Sequence, residues 1–501
     1  MLPVILLALT MGIGSGAAVW LGIRSVRFLE QPNALWPALQ QFWLVAHASE
    51  GRVWALIPIA IGVAVALIVI TVVSDAMDQG RRNRRGSILM QAKSLARLTR
   101  QPRRRGVQVA LAGVPVPFEA EPTHVLMVGS TGTGKSNAQS ELLAGAMARG
   151  DRTIVVDPNG ETLARYMRDG DRLLNPFDAR GEGWSIFNEI QSTSDYELIA
   201  KSVIPGSAGE DETWRAKART FLADLLQELM ARGDDLTASR LLWWAAEAQR
   251  DELQVLLAGT STAALLQPDA GRLLDSVRGI LAGYLRAHGR HPSGEFSIKR
   301  WLSEESGNLY LTWRDDQIPA LRPLINCWVD LLISAVLSSA ASGRALWLFV
   351  DELGSLEQLS SLESALTKGR KHGLRVVACL QSTSQLTTLY GRAGADTLRS
   401  CFRTLLVLGG SATDPDTAET MSRGLGDVET EEIAVSVSKD GTRRTTSESR
   451  QVRTRRLVMA TEIQNLPINH GYLKFPGNLP VGRITVRPPT AIAKSQPFKA
   501  R

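Results

Sequence analysis

Thr123-His-Val-Leu-Met-Val-Gly-Ser-Thr-Gly-Thr-Gly-Lys-Ser136 is the stretch on which the reading of the fold turns. Its first six residues, to Val128, read as a short buried strand. The strand runs straight into Gly129, Ser130, Thr131, Gly132, Thr133, Gly134, Lys135 and Ser136, the spacing GxxxxGKS/T. Asn137 to Arg149, rich in Ala and Leu, reads as the helix that follows. Glycines let backbone N–H groups curl around phosphate oxygens, and the helix presents its positive end to them. Lys135 is expected to reach the β- and γ-phosphates of ATP, and Ser136 to ligate Mg²⁺.

Such a loop needs an acidic partner on another strand. Leu346-Trp-Leu-Phe-Val350 is an unbroken apolar run that ends in Asp351-Glu352. Asp351 at the strand tip is suited to hold Mg²⁺, and Glu352 to polarise an attacking water. A third strand, Leu374 to Leu380, ends in Gln381-Ser-Thr-Ser384. Gln381 reads either as a γ-phosphate sensor or as the approach to a helix N-cap at Ser382 or Ser384. Thr153 to Asp157, Arg172 to Leu174 and Arg403 to Leu408 read as further strands. Strands alternating with helices give an α/β class with a doubly wound, mostly parallel sheet, whose ligands bind beyond the strand C-termini.

Working outward, residues 183–297 lose the strand signal and turn helical, as in Trp214 to Arg232 and Ala238 to Gln254. This segment is expected to be an all-α domain inserted into the nucleotide-binding core, which occupies 106–182 and 298–501. Arg215 and Arg219 fall on one helix face, either as DNA contacts or as a solvated surface. Asp440 to Thr446 reads as an exposed hairpin or loop amid basic residues.

The N-terminus is of another kind. Met1 to Ile23 and Val53 to Ser74 carry no charged residue, and each is long enough to span a bilayer. Residues 1–75 are therefore read as an anchor of two transmembrane helices with an external loop. Arginines crowd the 76–105 linker, which has no acidic residue from Gln79 to Arg105. The positive-inside rule puts this linker and all that follows in the cytoplasm. The net charge of +7 agrees with anionic partners without proving one. Cys327, Cys379 and Cys401 form no CxxC pair, and His288 and His291 lack further ligands nearby, so neither disulfides nor a structural metal is expected.

Taken in order, the P-loop, Val156-Asp-Pro-Asn-Gly160, Leu174-Asn-Pro-Phe-Asp178, Leu309-Tyr-Leu-Thr-Trp-Arg314, Leu346–Glu352, Leu366-Thr-Lys-Gly-Arg370 and Leu380-Gln-Ser-Thr-Ser-Gln385 resemble the type IV secretion coupling proteins of conjugative plasmids. These are the TraD/TraG group with its TrwB-like members. The resemblance covers nearly the full chain. It implies a RecA-like P-loop NTPase core, a homo-hexameric ring on a bacterial inner-membrane stem, and DNA-stimulated ATP hydrolysis. It implies non-specific binding of single- and double-stranded DNA, and a link between a relaxase-bound complex and the secretion channel. By position it makes Gln381 the γ-phosphate sensor, Arg370 an arginine finger acting in trans, and Trp214 a channel-mouth tryptophan. The end at Lys499-Ala-Arg501 carries no acidic extension of the kind larger members use for docking, so tail docking of accessory proteins is not expected. A translocase of the FtsK/HerA type and a membrane recruiting platform with little ATP turnover are the rival readings.

Overall fold

The structure is a computed structural model that describes residues 81–102, 106–206, 211–233, 235–340, 344–440, 443–490 and 492–501. The two expected transmembrane helices and their loop lie outside the described residues, as do 76–80 and 103–105 of the basic linker.

In chain order the strands are β1 (Arg81–Gly86), β2 (Leu89–Gln91), β3 (Ala110–Leu111), β4 (Val114–Pro115), β5 (Val125–Val128), β6 (Arg152–Pro158), β7 (Arg172–Leu174) and β8 (Leu309–Trp313). Then come β9 (Leu346–Val350), β10 (Leu374–Leu380), β11 (Thr404–Leu408), β12 (Asp427–Asp440), β13 (Arg443–Arg456), β14 (His470–Lys474) and β15 (Val481–Thr485). The helices are α1 (Ala92–Thr99), α2 (Lys135–Arg149), α3 (Glu161–Tyr166), α4 (Ser194–Val203), α5 (Asp211–Arg232), α6 (Ala238–Ala246) and α7 (Arg250–Leu256). They continue with α8 (Gly271–Gly289), α9 (Ile298–Glu304), α10 (Ile318–Ser338), α11 (Leu362–Lys368), α12 (Ser384–Cys401), α13 (Pro415–Leu425) and α14 (Ala460–Gln464).

Two compact units are distinguished. The smaller, among described residues, joins β1 to Val428–Arg455. Its three strands run in the order β1-β12-β13. The antiparallel register sets Arg82 opposite Glu431 and Arg85 opposite Glu429, so part of the basic linker is a strand facing an acidic one. The stretch Asp440 to Thr446, expected as a hairpin or loop, covers the last residue of β12 and the first four of β13, with 441–442 outside the described residues.

The larger unit holds a ten-stranded sheet in the order β2-β15-β14-β11-β5-β10-β9-β6-β8-β7. The seven strands from β11 to β7 are mutually parallel, and β14 runs against both its neighbours. Every residue of β5, β8 and β9 is buried, as expected of strands covered on both faces. Alternate side chains enter opposite cores. Val125, Met127, Trp347 and Phe349 pack with Leu95 of α1 and Leu142 of α2. Leu126, Val128, Leu348 and Val350 pack with Leu222 of α5, Leu281 of α8 and Trp328 of α10.

Between 185 and 295 the described residues form helices and 3₁₀ turns, and a bridge from Trp184 to Phe296 closes the two ends of this run. The single helix expected across Ala238 to Gln254 is two. Helix α6 ends where the Glu247 and Ala248 amides both donate to the Trp243 carbonyl. Helix α7 then starts afresh, with the Gln249 amide donating to Glu252 Oε2 at 2.8 Å. Among the described residues α10 alone is long and apolar enough to cross a membrane, but 72% of its most apolar stretch is buried, so it is a core helix under the sheet.

Candidate nucleotide-binding site

Sheet order arranges the site. The C-terminal ends of β11, β5, β10, β9 and β6 lie side by side, and they deliver Gly409, Gly129, Gln381, Asp351 and Asp157 to one edge. A cavity of about 510 Å³ opens there, lined by Gly134, Lys135, Ser136, Asp351, Glu352 and Gln381, among others.

The loop between β5 and α2 is anchored at both sides. The Gly129 amide donates to the Leu380 carbonyl at 3.2 Å, and the Ser130 amide to the Gly409 carbonyl at 2.9 Å. Thr133 Oγ1 closes the loop on the Ser130 carbonyl at 2.7 Å. Gly134 has φ +105, where an L side chain is strained, and a Cβ there would overlap the amide of Asn469. Asn469 also donates its backbone N–H to the Thr133 carbonyl at 3.1 Å, so the segment before β14 braces the loop. Lys135 Nζ donates to the Gly129 and Ser130 carbonyls at 2.6 and 3.0 Å. Burial pushes its pKa down, while Glu352 and Asp351 oppose that.

Ser136 Oγ donates to Asp351 Oδ1 at 3.1 Å. Burial pushes the Asp351 carboxyl up, against the pull of the Ser136 hydroxyl, and Glu352 beside it adds to the rise. Asp157, on the next strand, is fully buried and accepts from the Leu163 amide at 2.8 Å. Burial carries it up to about 7, and the Asp351 charge contributes. Three carboxyl groups thus share a confined edge. Two hard oxygen donors, Ser136 and Asp351, stand within hydrogen-bond distance there, a donor set suited to Mg²⁺.

Glu352 is held from two sides. Gln381 Nε2 donates to its Oε2 at 2.8 Å, and Gln385 Nε2 to its Oε1 at 3.0 Å. Gln385 Oε1 in turn accepts from the Gln381 amide at 3.0 Å. A Cβ on Gly354 would overlap the Gln385 amide, so this close approach needs a glycine. The N-cap of α12 is Thr383, without a side-chain cap bond.

Lys135, Ser136, Asp351, Glu352 and Gln381 are therefore brought to one cavity. Arg370 is not. It is exposed on the 3₁₀ turn Gly369–His372, which precedes β10, at the opposite edge of the sheet. Trp214, Arg215 and Arg219 lie on α5. Trp214 is 39% exposed. Arg215 Nη1 donates to the Pro205 and Gly206 carbonyls, and Arg219 bonds the Ile204 carbonyl and Glu212. Sequence reasoning missed Gln385, Asp157 and Asn469 as parts of the site. Gln385 carried one usable signal, a second glutamine four residues after Gln381 in the same polar motif.

Comparison with known proteins extends the picture. The family described as "Type IV secretion-system coupling protein DNA-binding domain" matches residues 108–487. Coupling protein TraD of Escherichia coli K12 is 25% identical over 459 residues, which is 87% of this chain and 64% of that protein. The chain thus spans less than two thirds of that relative's length. The solved structure of the bacterial conjugative coupling protein TrwBdeltaN70, in its unbound monoclinic form, superposes with a TM-score of 0.78 at 42% identity, over 84% of this chain and 96% of that one. The plasmid coupling protein TrwB in complex with ADP and Mg²⁺ gives 0.76 at 42% identity, over 84% and 98%.

Proposed function

The chain belongs to the type IV secretion-system coupling proteins, and on that premise we propose that it is a DNA-dependent ATPase of bacterial conjugation. In this reading a RecA-like core with an inserted helical domain sits on a two-helix stem in the inner membrane. It assembles as a homo-hexamer, binds DNA with little sequence preference, and joins the relaxase complex to the secretion channel. The observation that carries the reading is the clamped Glu352 carboxylate, set beside the Ser136–Asp351 pair in the cavity next to the glycine loop.

The chemistry follows from the positions. The loop amides and Lys135 hold the β- and γ-phosphates of ATP. Ser136 and Asp351 would hold Mg²⁺, which would supply charge neutralisation at the phosphate oxygens. Gln381 and Gln385 fix the Glu352 carboxylate, so that it orients the attacking water and takes its proton. Attack on the γ-phosphorus breaks the bond to the β–γ bridging oxygen and releases ADP and phosphate. Gln381, one bond from Glu352, meets the γ-phosphate and senses its loss. Arg370 of a neighbouring subunit adds positive charge to the same transition state. Trp214, exposed on α5, meets the DNA, while Arg215 and Arg219 shape the helix that carries it.

ATP hydrolysis by the full chain in detergent, with and without single-stranded DNA, tests the proposal. Stimulation by DNA is expected, with Lys135→Thr inactive under both conditions. Nucleotide binding without DNA-stimulated turnover would favour a recruiting platform instead.

A further inference from the structure

One wall of the nucleotide cavity lies outside the motifs used so far. Asp157, Asn159, Glu161, Thr162 and Arg165 line it from the turn after β6 and from α3. Within that turn Asn159 takes φ +64 and Gly160 φ +69. A residue other than glycine stays in the left-handed region only where its surroundings hold it. One set of supports comes from the sheet. The Asn159 amide donates to the Trp313 carbonyl at 2.7 Å, and Asn159 Nδ2 to Asp315 Oδ2 at 2.9 Å. Asp157 accepts the Leu163 amide at 2.8 Å, which ties α3 to the tip of β6. That tip adjoins the acidic pair, since the Asp351 amide donates to the Val156 carbonyl at 3.3 Å.

The other support comes from far along the chain. The Lys494 and Ser495 amides both donate to the Ala164 carbonyl of α3, at 2.8 and 3.2 Å. The Pro497 carbonyl lies against Gly160, where an added Cβ would overlap it. Phe498 is half-buried, with the Arg314 guanidinium 5.5 Å over its ring. The segment is then fastened beyond the wall. Arg180 Nη1 donates to the Gln496 carbonyl at 3.0 Å, and Nη2 to the Pro497 carbonyl at 3.3 Å. The same guanidinium pairs with the fully buried Asp178 at 2.7 Å, and Asp178 also accepts the Lys499 amide at 3.1 Å. The Ala179 amide donates to the Lys499 carbonyl at 2.7 Å, and the Arg501 amide to the Phe177 carbonyl at 3.1 Å. Exposed segments of this kind fray unless they are tied down, and here the ties are backbone bonds and one arginine. Residues 494–501 are absent from the cavity lining, so they can act on the wall but not on the nucleotide itself.

We propose that residues 494–501 are a strap that positions the 159–165 wall for Mg·ATP, with Arg180 as its anchor. The inference rests on the reading of the chain as an ATPase and adds positioning residues to that same site. Fastened, the strap holds Gly160 and the Ala164 carbonyl on one side, while Trp313, Asp315 and Asp157 hold the turn and α3 on the other. The wall then stays beside the Ser136–Asp351 pair. Released, the left-handed turn loses one of its two supports, and the wall relaxes on the metal side of the cavity. The glycine loop is unaffected, because its braces are Leu380, Gly409 and Asn469. The strap therefore acts on the part of nucleotide binding that depends on Mg²⁺.

The test uses the full chain in detergent, as wild type, ended at residue 493, and as Arg180→Ala and Arg180→Lys. A fluorescent non-hydrolysable ATP analogue is titrated with Mg²⁺ and again in EDTA. The shortened chain is expected to bind about tenfold more weakly with Mg²⁺ and less than about twofold more weakly in EDTA. Arg180→Ala should show part of the same loss, and Arg180→Lys should recover some of it. In turnover, KM for Mg·ATP should rise about tenfold in the shortened chain while kcat stays within about twofold. Equal losses with Mg²⁺ and in EDTA would overturn the proposal. So would a lowered Tm with unchanged nucleotide affinity, which would leave the strap a purely structural role. Arg180→Ala strands the buried Asp178 carboxylate, so the shortened chain, which keeps that pair, decides between these outcomes. A wild-type chain that bound no analogue in either condition would remove the ATPase reading itself, a result distinct from the others.

Discussion

Glu352 is oriented by two glutamines, and the second is the more informative to change. Gln381 is expected to touch phosphate as well, so Gln381→Ala mixes two effects. Gln385 bonds Glu352 and the Gln381 and Ser382 amides and lies in the first turn of α12. Gln385→Ala should lower kcat by roughly ten- to a hundredfold, the value of one hydrogen bond to a charged group. KM for ATP should move less than about threefold, because no bond to the loop is lost. A KM rise with unchanged kcat would show that Gln385 serves binding instead. Gly354→Ala supplies an independent route to the same state. Its new Cβ would displace the Gln385 amide, the far end of a flexible side chain, so the fold should tolerate it. Its kcat should fall as in Gln385→Ala, while its Tm stays within a few degrees of wild type.

At the scale of elements, the end of α8 carries a group whose titration opposes the fold. His288 is fully buried, its ring centroid 5.9 Å from that of Trp184, and neither ring nitrogen has a hydrogen-bond partner among the described residues. His291 packs 5.1 Å from Trp328. Burial pushes both down to about 3. A histidine depressed in the folded chain binds its proton first in the unfolded one. Its contribution to stability is present above about pH 6.5 and is lost as pH falls toward 3, at about 1.4 kcal/mol per pH unit. His288→Leu should therefore gain stability over wild type progressively from pH 7.5 to 5.5. The readout is the difference in urea midpoint between the two proteins. A difference independent of pH would show that His288 does not titrate on unfolding.

Elements also differed in how far they could be read in advance. Strands β5, β9 and β10 announce themselves because both faces are buried and each ends in a polar motif. The expected strand at Thr123 starts two residues late. His124 takes φ +61, stabilised by two bonds of its ring, one accepted from the Val376 amide and one given to the Leu366 carbonyl. Strands β14 and β15 escaped notice. They are short, carry Gly471, Gly482 and Arg483, and owe their place to each other's hydrogen bonds rather than to local pattern. Of the paired strands β12 and β13, only the stretch around Asp440 to Thr446 was noticed, and β13 (Arg443–Arg456) has no apolar alternation to reveal it. The Glu352 clamp lay beyond the sequence for a related reason. Asp351-Glu352 and Gln381 are visible as strand ends, but that β10 lies between β5 and β9 is a fact of sheet order.

Sheet order also sets a limit on the whole molecule. Arg370 precedes the first residue of β10, and Gln381 follows its last. Seven extended residues separate the two by roughly 20 Å, so Arg370 cannot complete the cavity of its own chain. An arginine that acts at this site from that edge must act on a neighbour, through the head-to-tail interface of a ring. The arrangement predicts complementation. Lys135→Thr and Arg370→Ala subunits should each be nearly inactive alone. Mixed in equal amounts before assembly, they place an intact Lys135 against a neighbour's intact Arg370 in half of half, roughly a quarter, of the sites. DNA-stimulated hydrolysis should then recover to a measurable fraction of wild type, rising and falling with the mixing ratio and greatest near equality. A structural role for Arg370 within its own chain would give no recovery at any ratio, because no subunit in the mixture would carry both residues.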